Sequence, residues 1–269
     1  MAFTLGPRAI AAGYRLAGFD QVGSTNAEAM ERTRDGERGP TWFVTSDQTA
    51  GRGRRHRPWI APRGNLASSI LEVMEVSPGV AATLGFAAGL ALEAALRRIS
   101  IQSLRSAGSD TMNFSLKWPN DVLAGRKKLA GIGLEAESVA LNRLAVVVGI
   151  GTNVVAAPEG TPTPATSLAA LGINVDANEL FSELSDSWVE FRSVWNGGHG
   201  FAEIRRLWLE RAAGLGQPVS VHFAGSTVEG TFESIDDTGC LIVGTSGGRR
   251  IPISAGDVYF GSAASSGAA

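Results

Sequence analysis

Between residues 113 and 154 three β-type runs follow one another with no helical pattern between them: 113–118, 128–137 and 144–154. Parallel neighbours need a crossover of a dozen or more residues, usually a helix, whereas antiparallel neighbours need only a turn. Pro119-Asn120-Asp121 supplies a turn signal in the first gap, so these strands should pair antiparallel. Helical spacing flanks them. Segment 78–99 opens at Pro78 and offers Leu84, Ala88, Ala91, Leu92 and Ala95 to one face. Segment 176–195 places Leu180, Leu184, Trp188, Phe191 and Trp195 at steps of four, four, three and four. A further helix is expected over 200–213. Consecutive strands without regular βαβ alternation specify an α+β fold: a mixed, mostly antiparallel sheet with flanking helices packed on one face.

Ahead of this block, Gly23-Ser24-Thr25-Asn26 offers Ser24 or Thr25 as the cap of a helix starting near residue 27. Residues 42–45 and 65–73 read as strands. The stretch 46–64 between them is polar and glycine-rich, with five arginines and no acid after Asp47, and reads as a long loop. Segment 103–112 reads as a polar loop and 158–164 as a proline-rich connection. The pattern changes at Gly214. From 218 to 260 short alternating runs are split by turn residues such as Asp236-Asp237-Thr238-Gly239, the pattern of a small antiparallel barrel or sandwich of about five strands. The expected division is a larger unit over 1–213, a small β unit over 214–261, and a disordered tail over 262–269.

Composition removes several function classes. Of 269 residues, 44% are hydrophobic and 19% charged, and the net charge is −2. That is ordinary for a globular protein and argues against a surface given over to nucleic acid or anionic lipid. The lone Cys240 excludes a disulfide framework and a cysteine zinc site. His56, His199 and His222 lack metal-ligand spacing. The N-terminus lacks the apolar core of a signal peptide, and the apolar stretch 80–96 falls short of a membrane span. A cytoplasmic protein without membrane association is expected.

One bias stands out. The 24 basic residues include only three lysines, Lys117, Lys127 and Lys128, all within twelve positions. Lys128 enters an apolar strand whose Gly131 and Gly133 leave one face open to a flat ligand. Such a lysine sits at a strand edge or points into a pocket. Gly51-Arg52-Gly53-Arg54-Arg55-His56-Arg57 combines close-approach glycines with forked donors that match phosphate oxygens, and reads either as a phosphate clamp or as a solvated basic or nucleic-acid-binding loop. Lys117-Trp118-Pro119-Asn120-Asp121 places an amide and a carboxylate on a turn. Asn120 could meet a base or phosphate and Asp121 a metal, or the run could serve turn geometry alone.

Taken in order, Ser24-Thr25-Asn26, Gln48-Thr49-Ala50-Gly51-Arg52-Gly53-Arg54, Lys117-Trp118-Pro119-Asn120-Asp121, Lys128-Leu129-Ala130-Gly131-Ile132 and Gly149-Ile150-Gly151-Thr152-Asn153 resemble the biotin protein ligase family. The resemblance runs from about 20 to 257, and Phe232 to Leu241 is similar to that family's small C-terminal domain. It implies a fold like that of class II aminoacyl-tRNA synthetases, with an SH3-like β-barrel appended. It also implies ATP-dependent formation of biotinyl-5′-AMP and transfer of biotin to a lysine of a biotin carboxyl carrier protein of an acyl-CoA carboxylase. By resemblance the biotin site comprises Ser24, Thr25, Asn26, Gln48, Gly51, Arg52, Lys128 and Gly131. The nucleotide site comprises Arg54, Arg55, Arg57, Trp59, Lys117, Asn120 and Asn153. Lys128, Arg54 and Arg52 carry the chemistry, and Mg²⁺ travels mainly on the ATP phosphates with Asp121 as a possible ligand. His56 and Pro58 depart from the usual loop, and Gly133 stands where a bulky aliphatic is typical. Only about twenty residues precede the conserved-looking body, so no binding to an operator DNA is expected. A lipoate ligase on a similar fold and a non-enzymatic nucleic-acid module are the rival readings.

Overall fold

The computed structural model describes residues 2–54, 57–107, 112–161, 163–223 and 225–260. Arg55, His56 and the tail 262–269 lie outside them, as do residues 108–111 of the expected polar loop. Seven strands form one sheet: β1 Arg15–Phe19, β2 Thr41–Thr45, β3 Leu66–Met74, β4 Phe114–Lys117, β5 Asp121–Ala124, β6 Lys127–Ala140 and β7 Arg143–Thr152. Their spatial order is β1-β2-β3-β7-β6-β5-β4. Only the β1–β2 pair is parallel; β2–β3, β3–β7, β7–β6, β6–β5 and β5–β4 are antiparallel. The mostly antiparallel sheet is as the sequence indicated. Two strands escaped that reading. β1 is only five residues long with none fully buried, and β5 hides its four residues directly behind the proline turn.

The helices are α1 Pro7–Ala11, α2 Thr25–Arg34, α3 Pro78–Ala82, α4 Leu84–Ala107, α5 Ala177–Trp195 and α6 Phe201–Leu209. Alternation along the strands divides the sheet. Ile70, Met74, Val146, Val148 and Ile150 face α4 and α5 and join Leu90, Leu92, Leu96, Leu180, Leu184 and Trp188 in the main core. The alternate residues Phe43, Leu71, Ala145 and Val147 form a second cluster with Ala29 and Met30 of α2. Helices therefore cover both faces, correcting the one-face expectation. Of the helices α2, with a short apolar stripe, packs on the second face, and the glycine-bearing stretches of β6 and β7 stay half-buried there.

The helix expected over 78–99 is broken at Thr83 and runs on to Ala107, through the first part of the expected loop. The span Pro78–Ser103 is apolar and long enough to cross a membrane, against the earlier estimate, yet 72% of its most apolar window is buried in the fold; it is the core helix on which the sheet packs. A capping box, Asp176 accepting from Glu179 N and Glu179 from Asp176 N, starts α5 at the expected place.

Five further strands, β8 Pro218–Phe223, β9 Ser226–Ile235, β10 Leu241–Gly244, β11 Arg250–Ile253 and β12 Asp257–Phe260, form an antiparallel sheet in the order β11-β10-β9-β8-β12. Their count matches the sequence expectation. Buried Glu93 of α4 is ion-paired with Arg211 at 3.1 Å, and Leu116 N donates to Arg211 O at 2.8 Å. These contacts fix the segment leading into the small sheet against the large one.

Candidate active site

β6 and β7 each carry Gly-Ile-Gly, and the two triplets pair in register: Gly131 with Gly151, Ile132 with Ile150, Gly133 with Gly149. Strand alternation sends both isoleucines into the core and all four glycines to the opposite face. The result is a patch of bare backbone flooring a cavity of about 290 Å³. A β-carbon at Gly151 would stand 2.6 Å from the Trp59 indole, and one at Gly131 would stand 3.1 Å from it, so the ring lies directly on the floor. A β-carbon at Gly149 would overlap Asn26.

A bulge in β6 sets the catalytic candidate. Ala130 pairs with Val122, but Lys128 pairs with Leu123, leaving Leu129 as an extra residue. Leu129 and Ala130 both enter the main core, and Lys128 emerges on the glycine face. With regular alternation through Leu129 and no bulge, Lys128 would turn into the core. Its Nζ lies 2.7 Å from Asp121 Oδ1 and 5.4 Å from the Trp59 ring centroid. That oxygen is buried and has no aligned hydrogen-bond donor, so the contact is an ion pair first. Segment 164–166 runs along Lys128, with Lys128 N donating to Pro164 O at 2.7 Å and Thr166 N to Lys128 O at 2.9 Å.

One end of the cavity is neutral. Ser24 caps α2 through its hydroxyl, accepting from Ala27 N. Gln48 Oε1 accepts from Thr25 N at 2.9 Å, and its side chain passes over Gly51, where any β-carbon would collide. Ser69 Oγ sits 2.7 Å from Thr25 Oγ1 and 2.6 Å from Asn26 Oδ1, while Asn26 Nδ2 donates to Glu135 Oε1 at 2.8 Å. Buried hydroxyls (Thr25, Ser69) and half-buried amides (Asn26, Gln48) locked in this way are pre-oriented for a polar, uncharged ligand group.

The other end is cationic. The loop turns tightly, with Gly53 N donating to Arg57 O at 2.7 Å and Trp59 N to Gly51 O at 2.9 Å. Arg52 is exposed at the rim. Arg54 Nη1 donates to Gly256 O at 3.2 Å and to Asn120 Oδ1 at 3.4 Å. Arg57 is ion-paired with Asp257 at 2.7 Å. Asn120 Nδ2 donates to Ile132 O at 2.7 Å, so the side chain brackets β6 and the arginine together. Lys117 is 9% exposed, with Nζ 5.5 Å from the Phe260 ring and 6.0 Å from that of Tyr259. Burial, with Lys128 nearby, lowers its pKa. Asn153 is 1% exposed; its amide donates to Thr166 O at 3.0 Å, and its Oδ1 is a buried acceptor.

All the sequence-derived candidates within the described residues line or border this one cavity. Asp121 is taken up by Lys128, and among the described residues no cluster of three or more His, Cys, Asp or Glu could hold a metal, so Asp121 does not fit a resident Mg²⁺. Sequence reasoning missed Ser69, Glu135, the 163–166 segment and Asp257. The pair Ser68-Ser69 inside an apolar strand was the one available signal; Asp257 reaches the site only through the packing of β12.

Comparison with known proteins bears on the whole chain. Residues 19–153 match the biotin/lipoate A/B protein ligase family and residues 214–261 the biotin protein ligase C-terminal domain. A biotin–[acetyl-CoA-carboxylase] ligase of Paracoccus denitrificans is 38% identical over 88% of this chain and 97% of its own length. A protein of the same name from Mycobacterium tuberculosis is 35% identical over 88% and 86%. A biotin protein ligase of Aquifex aeolicus, solved in complex with biotin and ATP, superposes with a TM-score of 0.74 at 26% identity, covering 92% of this chain and 99% of that one. The chain belongs to the biotin protein ligase family.

Proposed function

We propose that this chain activates biotin with ATP and hands it to a protein lysine. The observation that carries this reading is the two-ended cavity with Lys128 at its middle: neutral polar groups at the α2 end, arginines and Lys117 at the β12 end, and bare backbone between. The ureido ring of biotin, two N–H donors and a carbonyl, suits Ser24, Thr25, Asn26 and Gln48, and its apolar body suits the glycine floor. Phosphates suit Arg52, Arg54, Arg57 and Lys117, and the acceptor of Asn153 suits an amino or hydroxyl group of the nucleoside.

In the first step a carboxylate oxygen of biotin attacks the α-phosphorus of ATP and pyrophosphate departs with the bonding pair. Two anions meet, and their repulsion at ~4 Å is about 4 kcal/mol at an effective dielectric of ~20. A compact ammonium at the meeting point offsets that cost and stabilises the equatorial charge of the transition state. Asp121 holds the Lys128 ammonium in place. Mg²⁺ enters with the triphosphate. In the second step a lysine amine of the carrier attacks the acyl carbon, AMP leaves, and the amine loses its proton. The mixed anhydride hydrolyses in open water, so the arginine loop and Trp59 act as its cover. The carrier is the biotin carboxyl carrier domain of an acyl-CoA carboxylase. The small β unit, from 214 on, supplies Gly256 and Asp257 to anchor the loop.

Incubation with ATP, Mg²⁺, a carrier domain and either biotin or lipoate tests the reading by intact mass. Biotin should label one carrier lysine and lipoate none. Labelling by lipoate alone would move the chain to the other branch of its family.

A further inference from the structure

Gly133 differs from its three neighbours on the floor. β-carbons at Gly131, Gly149 and Gly151 would all crowd Trp59, Lys128 or Asn26, whereas one at Gly133 would meet nothing within 4 Å. Nor does the backbone require glycine: Gly133 lies inside β6 and is not among the glycines with positive φ. A strand-interior glycine with no turn, bulge or close neighbour to explain it weakens the strand for no internal return. Gly133 does line the cavity. It pairs across the strands with Gly149, the glycine under Asn26, so the empty space opens directly beside the neutral polar end.

We propose that Gly133 sets the width of the vitamin subsite, and that the open space above it admits a small apolar substituent on the bicyclic head of biotin. This rests on the reading of the α2 end as the head-group site. The side walls are Asn26 above Gly149 and Trp59 above Gly151, both held by neighbours, so a substituent has one direction in which to grow. Closing that space with a side chain removes the tolerance. The change should appear in KM, because the contact is made equally in the ground and transition states.

The test compares biotin with two enlarged analogues, one alkylated at the ring carbon beside the sulfur and one alkylated at a ring-fusion carbon, by pyrophosphate release, in wild type, Gly133→Ala and Gly133→Leu. Wild type should turn over at least one analogue. A methylene misfit in a pocket changes kcat/KM by roughly 10–200-fold, so Gly133→Leu should lower the analogue-to-biotin ratio of kcat/KM by at least about tenfold. Gly133→Ala should fall between, with an unfolding temperature no lower than wild type. Rejection of both analogues by wild type, or a ratio unchanged in Gly133→Leu, overturns the proposal. Absence of pyrophosphate release with biotin itself would instead reject the reading of the site.

Discussion

Lys128 and Asp121 face each other from adjacent strands at 2.7 Å, on the same side of the sheet as the glycine floor. They meet because one extra residue, Leu129, turns into the core and shifts the face on which Lys128 emerges. Asp121 thereby acts as a positioning residue for the ammonium. Asp121→Asn should slow adenylate formation about 10–100-fold with little change in unfolding temperature. KM for biotin and ATP should change less than kcat. Loss of stability without the kinetic change would make the pair structural.

The arginine loop is tied to the small sheet by Arg57–Asp257 and by Arg54 to Gly256 O. These ties and the turn at Gly53 help to hold it. Asp257→Ala should raise the rate at which trypsin cuts at Arg54 to Arg57, and biotin plus ATP should suppress cutting in both proteins. Equal cutting with and without ligand would show that the loop does not cover the adenylate.

Arg54 reaches across to Asn120 and Gly256, the side of the cavity assigned to phosphate. Arg54→Ala should reduce kcat/KM for ATP by roughly 10²–10³, the usual loss for one donor aimed at developing charge, while biotin affinity by calorimetry changes little. An equal loss for both substrates would place Arg54 elsewhere in the reaction.

Lys117 is buried, and that burial lowers its pKa below the ordinary 10.5. The unfolded chain therefore holds this proton more tightly than the folded one. The cost of burying the charge is present below the lowered folded pKa and is relieved as pH rises through the window up to 10.5. Lys117→Met should be more stable than wild type at pH 7 by about 1–2 kcal/mol, the gap closing towards pH 10, and should bind ATP more weakly. A gap that is constant with pH would mean the ammonium is not destabilised by its surroundings.

Glu93 is 1% exposed and pairs with Arg97 and Arg211. Glu93→Ala leaves the half-buried Arg211 without this partner and should cost about 3–5 kcal/mol in chemical denaturation. A cost under ~1 kcal/mol would show that water replaces the carboxylate.

The site residues were legible through the ordered motifs that resemble a known family; taken singly, the glycine and arginine run allowed either a phosphate clamp or a solvated loop. Of the three consecutive runs the second and third pair antiparallel as β6 and β7, whereas β5 comes between the first run and β6. What stayed hidden depends on register and tertiary packing. The facing Gly-Ile-Gly triplets were visible as two separate motifs, but only the β6–β7 register makes them one floor. The bulge at Leu129 leaves no mark in the pattern, since leucine and alanine suit either face. α2 on the second face could not be read because its apolar stripe is short, and Asp257 comes to the loop through the packing of a strand about two hundred residues away.

The placement of the Lys128 ammonium on the glycine floor is the claim on which the rest depends. Single-turnover formation of biotinyl-AMP from biotin and ATP, read by mass in wild type and Lys128→Ala, tests it most directly. The account predicts a loss of at least about 10²-fold in the variant, with unfolding temperature retained and biotin still bound. Adenylate formed at an unchanged rate by the folded variant would contradict it.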